Sequence, residues 1–249
     1  MLPGIKAELA GALIALDFDG TLSPIVPDPM QARPVEGVLG SLIRLATRGA
    51  RIAVVTGRDA RTVLELGELA RIPGLLVSGL HGAESWQDGK LTTRDEPPGL
   101  AGLRTALPPL LPSGVWLEDK RLSLVLHTRR AEHPEQALAE LTEFVPRLVA
   151  EHGLEAHPGK QVIEIRIPEL SKATALDGLL AGSPAAALFA GDDLGDLPAV
   201  RTVRRWAERT GRPALTIAVG AVPELAAEAD IALAGPHELA ALLADLAAG

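Results

Sequence analysis

The sequence predicts a doubly wound α/β core on a parallel sheet, with a smaller α+β segment inserted into it. Three observations carry that reading. Short apolar runs without polar alternation recur along the chain, helical repeats lie between them, and the middle of the chain changes to a two-residue alternation. Runs of the first kind are strands covered on both faces, as parallel sheets require. Strands of that kind alternating with helices give an α/β core.

The predicted core strands are Ala12 to Leu16, Ile52 to Val55, Leu75 to Val77, Ala186 to Ala190 and Leu215 to Val219. Between them, Val35, Val38, Leu39, Leu42 and Leu45 repeat at helical spacing before Gly49, as do Val63, Leu66 and Leu69. A later set, Val200, Val203, Trp206 and Ala207, precedes Gly211. Each set lines one helix face, and a glycine suits the stop. From Trp116 to Arg129 and from Val162 to Ile167, polar and apolar residues alternate, the pattern of antiparallel strands with one open face. Leu138, Leu141, Val145, Leu148 and Val149 predict a helix between them, opened by Pro134, ended by Gly153 and kinked at Pro146. The cluster Glu96-Pro97-Pro98-Gly99 reads as a linker. The expected organisation is a core of residues 1–96 and 168–249 and a cap of residues 97–167.

Composition narrows the function. The 249 residues are 47% hydrophobic, enough for a sizeable core, and carry a formal net charge of -8. Acidic excess disfavours a nucleic-acid or anionic-membrane partner. Without cysteine there is no disulfide, thiolate nucleophile or cysteine-bound zinc. No apolar run reaches the roughly 18 residues of a membrane span. Lys6 and the apolar residues after it make a poor secretion signal, since Glu8, Asp17 and Asp19 interrupt them. A cytoplasmic monomer with a small-molecule partner is expected.

In an open α/β sheet, ligands bind beyond the carboxyl ends of the strands. There the sequence places Asp17-Phe18-Asp19-Gly20-Thr21, then Thr56-Gly57-Arg58, then Gly191-Asp192-Asp193-Leu194-Gly195-Asp196. Singly, each has an ordinary reading as a helix cap or a turn. Together they gather carboxylates on one edge, which is unfavourable unless a cation lies among them. Oxygen donors without nearby Cys or His suit a hard ion, magnesium above all. In an extended chain Asp17 and Asp19 share a face, so one can attack phosphorus while the other handles protons. Lys172, opening a helical pattern with Ala173, Leu176 and Leu180, reads as a solvated lysine alone and as a phosphoryl partner beside the carboxylates.

This ordered set, Asp17-Phe18-Asp19-Gly20-Thr21-Leu22, Thr56, Lys172 and Gly191-Asp192-Asp193 with Asp196, resembles the haloacid dehalogenase-like phosphatase superfamily. The longer stretch from Leu16 to Ile25, with Gly79-Leu80-His81-Gly82-Ala83-Glu84, resembles the trehalose-6-phosphate phosphatase family within it. The resemblance implies a Rossmann-type core and a Mg2+-dependent phosphatase with Asp17 as nucleophile and Asp19 as general acid and base. Thr56 and Lys172 would assist. The metal set would be Asp17, Asp19, Asp192, Asp193 and Asp196. Arg58, His81 and Glu84 from the core, with Glu118, Lys120, His127, Arg129, Lys160, Glu164 and Arg166 from the cap, would bind the substrate. Spacing supports three of the cap pairs: Glu118 with Lys120, His127 with Arg129, and Glu164 with Arg166 lie two apart and face one way along their strands. A solvated sheet face has the same pattern. Relative to the family, Thr56 replaces serine, Thr128 replaces tyrosine, Ala173 replaces glycine after Lys172, and Ile167 separates Arg166 from Pro168.

Other readings remain at this level. Another sugar phosphate or a phosphomutase reaction would use the same core. A phosphoaspartate signalling module shares aspartates, a Thr and a Lys, but has neither the Asp-x-Asp pair nor a cap. No Gly-x-Gly-x-x-Gly follows the first strand, so a dinucleotide-binding protein is disfavoured.

Overall fold

The computed structural model describes residues 1–220 and 222–248. The chain divides into two compact units, Met1–Thr93 with Ser171–Gly249, and Arg94–Leu170.

The first unit begins with α1 (Leu2–Ala7), β1 (Leu13–Leu16), α2 (Val38–Thr47), β2 (Arg51–Val55), α3 (Ala60–Gly67), β3 (Leu76–Gly79), β4 (Glu84–Gln87) and β5 (Lys90–Thr93). The second unit contributes α4 (Pro98–Ala106), β6 (Trp116–Asp119), β7 (Leu124–His127), α5 (Pro134–Ala150), β8 (Glu155–Gly159) and β9 (Val162–Arg166). The first unit resumes with α6 (Lys172–Leu180), β10 (Ala187–Gly191), α7 (Leu197–Thr210), β11 (Ala214–Val219), α8 (Pro223–Glu228), β12 (Ile231–Leu233) and α9 (Pro236–Ala248).

Among the described residues, the first unit's sheet has the order β12-β11-β10-β1-β2-β3-β4-β5. It is parallel from β12 to β3 and antiparallel through β4 and β5. Both faces are covered. Ile14, Leu16, Ile52, Val54, Leu188 and Ile217 meet Leu42 and Leu45 of α2 and Leu239 and Leu243 of α9. The intervening Leu13, Ala15, Ala53, Val55, Ala187 and Phe189 meet Leu176 of α6 and Val200, Val203 and Trp206 of α7. Two apolar faces are why these strands read as unbroken apolar runs. Each fully buried Leu, Ile or Phe contributes about 1.5–3 kcal/mol of transfer free energy, so this double layer fixes where the strands end.

The chain runs from β1 outward to β2 and β3, and returns to the other side of β1 as β10. The strand order therefore reverses between β1 and β10, the switch point at which an open α/β sheet offers a crevice. Asp17 follows β1 and Asp192 follows β10.

The second unit has a four-stranded antiparallel sheet, β6-β7-β9-β8. One face, with Leu124, Leu126, Ile163 and Ile165, packs on Leu100 and Leu103 of α4 and Leu141, Val145 and Val149 of α5. The opposite face carries Glu118, His127, Glu164 and Arg166, which the registers Trp116↔His127 and Val125↔Glu164 place on one side.

One expectation changes. Pro98 and Gly99 are not a linker but open α4, because proline suits the first helical turn, where its missing N–H costs nothing. Helix α5 keeps Pro146 inside its span. The β4–β5 hairpin, unforeseen, turns at Asp88-Gly89, both with positive φ (50° and 80°). That dipeptide is the strongest short hairpin signal, masked here by polar, half-exposed flanking strands.

Candidate active site

Asp17 is the first residue beyond β1, its N–H donating to Ala190 O of the neighbouring strand at 3.0 Å. Its carboxylate is buried, with Lys172 Nζ 2.9 Å away. Lys172 is the first residue of α6, whose start is fixed by Ser171 and Thr174, each side chain accepting from the other's backbone N–H. Leu176 and Leu180 bury the helix and anchor the lysine at the sheet end. The same ammonium donates to Asp196 Oδ1 at 2.7 Å.

Asp196 ends a 3-10 turn and is fully buried. Its Oδ2 accepts from the N–H groups of Asp192 and Asp193 at 3.0 and 3.2 Å, so both oxygens are engaged. Asp192 lies beside them, with Thr21 Oγ1 3.5 Å from its Oδ1. Gly20 makes room for that carboxylate: a Cβ on Gly20 would lie 2.0 Å from Asp192 Oδ2, and its φ of +77° favours glycine.

Asp17, Asp192 and Asp196 each offer an oxygen within 4.8 Å of the others. Lys172 pairs with two of the three carboxylates, Asp17 and Asp196, and burial raises all three. Burial, only partly offset by Lys172, pushes Asp17 up to about 7, with Asp192 adding to the rise. Asp192 is raised to about 7 by burial and by the charges of Asp196 and Asp193. Asp196 is raised by burial against the pull of Lys172. For Lys172, burial opposes the charge, but Asp17 and Asp196 outweigh it and the ammonium is held well above its ordinary range. An all-oxygen cluster short of positive charge, with space kept by Gly20, fits a hard divalent cation. Asp17 and Asp192 have the freer oxygens; Asp196 orients Lys172 and the turn.

The remaining residues are placed unequally. Asp193 is exposed and caps the 3-10 turn, outside the three-carboxylate group. Asp19 turns to Arg58, whose Nε and Nη2 donate to its two oxygens at 2.6 and 2.7 Å. Thr56 is buried, its Oγ1 accepting from Arg58 N at 3.1 Å. Glu84 is buried too, and Oε2 accepts from Ala60 N at the start of α3. His81 follows β3 with a left-handed backbone.

In the second unit, His127 Nε2 meets Glu118 Oε2 at 2.7 Å, and Arg166 meets Glu164 at 3.2 Å. Trp116 stacks on His127 with centroids 4.5 Å apart, and Arg130 lies over the same indole at 4.5 Å. Neither Trp116 nor Arg130 stood out in the sequence; the cross-strand position of Trp116 opposite His127 is the signal that would have found the stack. Lys120 is half-buried beyond β6; Arg129 and Lys160 are exposed in turns beyond β7 and between β8 and β9.

A parallel sheet whose central strand ends in an Asp-x-Asp pair, faced across the switch point by a lysine and an acidic turn, defines the haloacid dehalogenase-like class. Within that class the trehalose-phosphatase family model matches residues 15–235, and the chain belongs to that family. It is 34% identical over 220 residues to the trehalose-phosphate phosphatase of Mycobacterium avium, covering 82% of this chain and 54% of that protein. The Mycobacterium tuberculosis protein of that name is 32% identical over 211 residues, covering 76% and 52%. The chain thus spans about half the length of the curated relatives it matches. The fold is similar to the C-terminal domain of Candida albicans trehalose-6-phosphate phosphatase, with a TM-score of 0.77 at 22% identity over 99% of this chain and 96% of that one. The Aspergillus fumigatus enzyme gives 0.73 at 24% identity over 100% and 97%. Among the described residues, no helix is long and apolar enough to cross a membrane.

Proposed function

We propose that this chain hydrolyses trehalose 6-phosphate to trehalose and phosphate through a phosphorylated Asp17, with magnesium as its metal. The observation that carries the reading is the buried Asp17 carboxylate 2.9 Å from Lys172 Nζ, inside a cluster of carboxylates short of positive charge. In the first step an Asp17 oxygen attacks phosphorus in line, the bond from phosphorus to the sugar oxygen breaks, and Asp19 gives that oxygen its proton. In the second, Asp19 takes a proton from water as it attacks phosphorus. The Asp17–phosphorus bond breaks, phosphate leaves, and both carboxyl groups return to their starting states.

Lys172 holds positive charge beside the transferring group, and Thr56 is a hydroxyl available to its oxygens. Asp17, Asp192 and the backbone carbonyl of Asp19 would hold the magnesium, with Asp196 and Asp193 in support. Bound there, it would neutralise the carboxylates and draw charge from the phosphoryl oxygens. The rate demand is large, since enzymes accelerate phosphate-monoester hydrolysis by up to ~10²¹, and several groups must act together.

The unit Arg94–Leu170 is assigned substrate specificity, with Glu118, Lys120, His127, Arg129, Lys160, Glu164 and Arg166 recognising sugar hydroxyls, and His81 and Glu84 contributing from the first unit. A net charge of -8 supports a small-molecule partner over nucleic acid or an anionic membrane, and the reading includes a cytoplasmic monomer. Incubation with trehalose 6-phosphate, with and without magnesium, tests the reaction. Equal release of phosphate and trehalose only with the metal is expected; release from other sugar phosphates but not from this one would reassign the substrate.

A further inference from the structure

We infer that Arg58 is a positioning residue that works through Asp19, and is not a direct contact for the substrate; this rests on the phosphatase reading above. Its guanidinium makes a two-point fork to Asp19, with Nε to Oδ2 at 2.6 Å and Nη2 to Oδ1 at 2.7 Å. Both partners are largely covered, at 15% and 33% side-chain exposure. That separates the fork from an exposed ion pair, whose worth is near zero, because parallel charge-assisted bonds in a covered site fix direction as well as distance. The guanidinium also lies 5.7 Å from the centroid of the Phe18 ring, the residue between the two catalytic aspartates.

The arginine is itself held through its backbone, by Thr56 and by the segment after β3. Its N–H donates to Thr56 Oγ1 at 3.1 Å, and its carbonyl accepts from Leu80 N at 2.8 Å. His81 N donates to Thr56 O at 3.0 Å. Leu80 and His81 both have left-handed backbones, with φ of 47° and 56°, a conformation costly for residues with side chains and kept only where surroundings impose it. The His81 ring covers Gly57, where a Cβ would come within 3.0 Å of ring atoms Cε1 and Nε2. The segment after β3 thus clamps Thr56-Gly57-Arg58, and the clamp is passed to Asp19 through the fork.

Such a holder suits a carboxyl group that must act twice. As acid and then as base, Asp19 has to release one oxygen to the proton while keeping its place. With two N–H groups on two oxygens, it can surrender one bond and pivot on the other. A lysine would keep the charge but has no fork.

Steady-state kinetics of the wild type, Arg58→Ala, Arg58→Lys, Asp19→Asn and the double variant Arg58→Ala/Asp19→Asn test this on trehalose 6-phosphate and an aryl phosphate. Arg58→Ala is expected to lower kcat by roughly 10–100-fold with KM changed less than about threefold, and Arg58→Lys to recover only part. In the Asp19→Asn background, where the group it serves is gone, Arg58→Ala should cost less than about threefold more. A rise in KM at unchanged kcat, or equal losses in both backgrounds, overturns the inference. Calorimetric titration with orthovanadate, which needs no turnover, is a second reading: affinity within about threefold of wild type supports positioning, and a loss of tenfold or more makes Arg58 a direct anion contact. Failure of the wild type to hydrolyse any sugar phosphate would sink the phosphatase reading instead, and the vanadate comparison would still decide what Arg58 holds.

Discussion

The two units treat charge in opposite ways. At the strand ends of the first, three carboxylates crowd together with one lysine paired to two of them, and burial pushes Asp17 and Asp192 up to about 7. In the second unit, acids face basic groups: Glu118 with His127, Glu164 with Arg166, and both Glu96 and Asp119 with Arg104, whose fork keeps the Asp119 carboxyl below its usual range. These pairs offer hydrogen bonds to a ligand. The unmatched cluster is the place where a cation and a phosphoryl group lower the energy of the site. On the proposed reading, the reaction belongs to the crowded carboxylates and recognition to the paired groups.

That contrast can be broken at several points, in descending size of effect. Asp17→Asn keeps shape but removes the proposed nucleophile, and phosphate release is expected to fall on the order of 10⁴-fold or more with the fold retained by circular dichroism. Lys172→Met strands Asp17 and Asp196 without their ammonium. Breaking a buried pair in this way costs about 3–5 kcal/mol, which urea denaturation at pH 8 without metal would read, and activity should fall with it. Glu118→Ala is expected to reduce turnover of the sugar phosphate by about tenfold or more, while an aryl phosphate loses less than about threefold. Equal losses would make Glu118 structural and weaken the assignment of recognition to the second unit.

A separate test concerns pH. Because folding raises Asp192 from the model-peptide value of 3.8 to about 7, the folded chain keeps a proton that the unfolded chain sheds. The metal-free protein therefore loses this contribution as pH rises from about 4 through about 7. Asp192→Asn removes the effect, so melting in a chelator should show the variant gaining on the parent toward pH 8 and not near pH 4. A constant offset at both pH values would mean that the cluster is not short of positive charge.

Much of the first unit was legible because its physics is local to the sequence. Strands covered on both faces leave unbroken apolar runs, and Asp17, Thr56, Lys172 and Asp192 each follow such a run or open the helix between two of them. What the sequence withheld were distances between remote segments. Nothing in Thr56-Gly57-Arg58 announces that Arg58 grips Asp19, since that depends on the left-handed Leu80 and His81 pressing on the loop. Nor does the sequence show that Glu84 accepts from Ala60 N at the start of α3. Asp196 stays within the three-carboxylate group, and the engagement of both its oxygens was invisible until the turn was folded. The Trp116–His127 stack depended on cross-strand register, which alternation alone does not set.

The most direct test is to quench the reaction with acid during turnover of trehalose 6-phosphate or an aryl phosphate and map phosphate on the digested chain by mass spectrometry. Phosphate on the Asp17 carboxyl group, absent from Asp17→Asn, is the expected result. Full-rate phosphate release with Asp17 never labelled, or label on another carboxylate, would contradict the account.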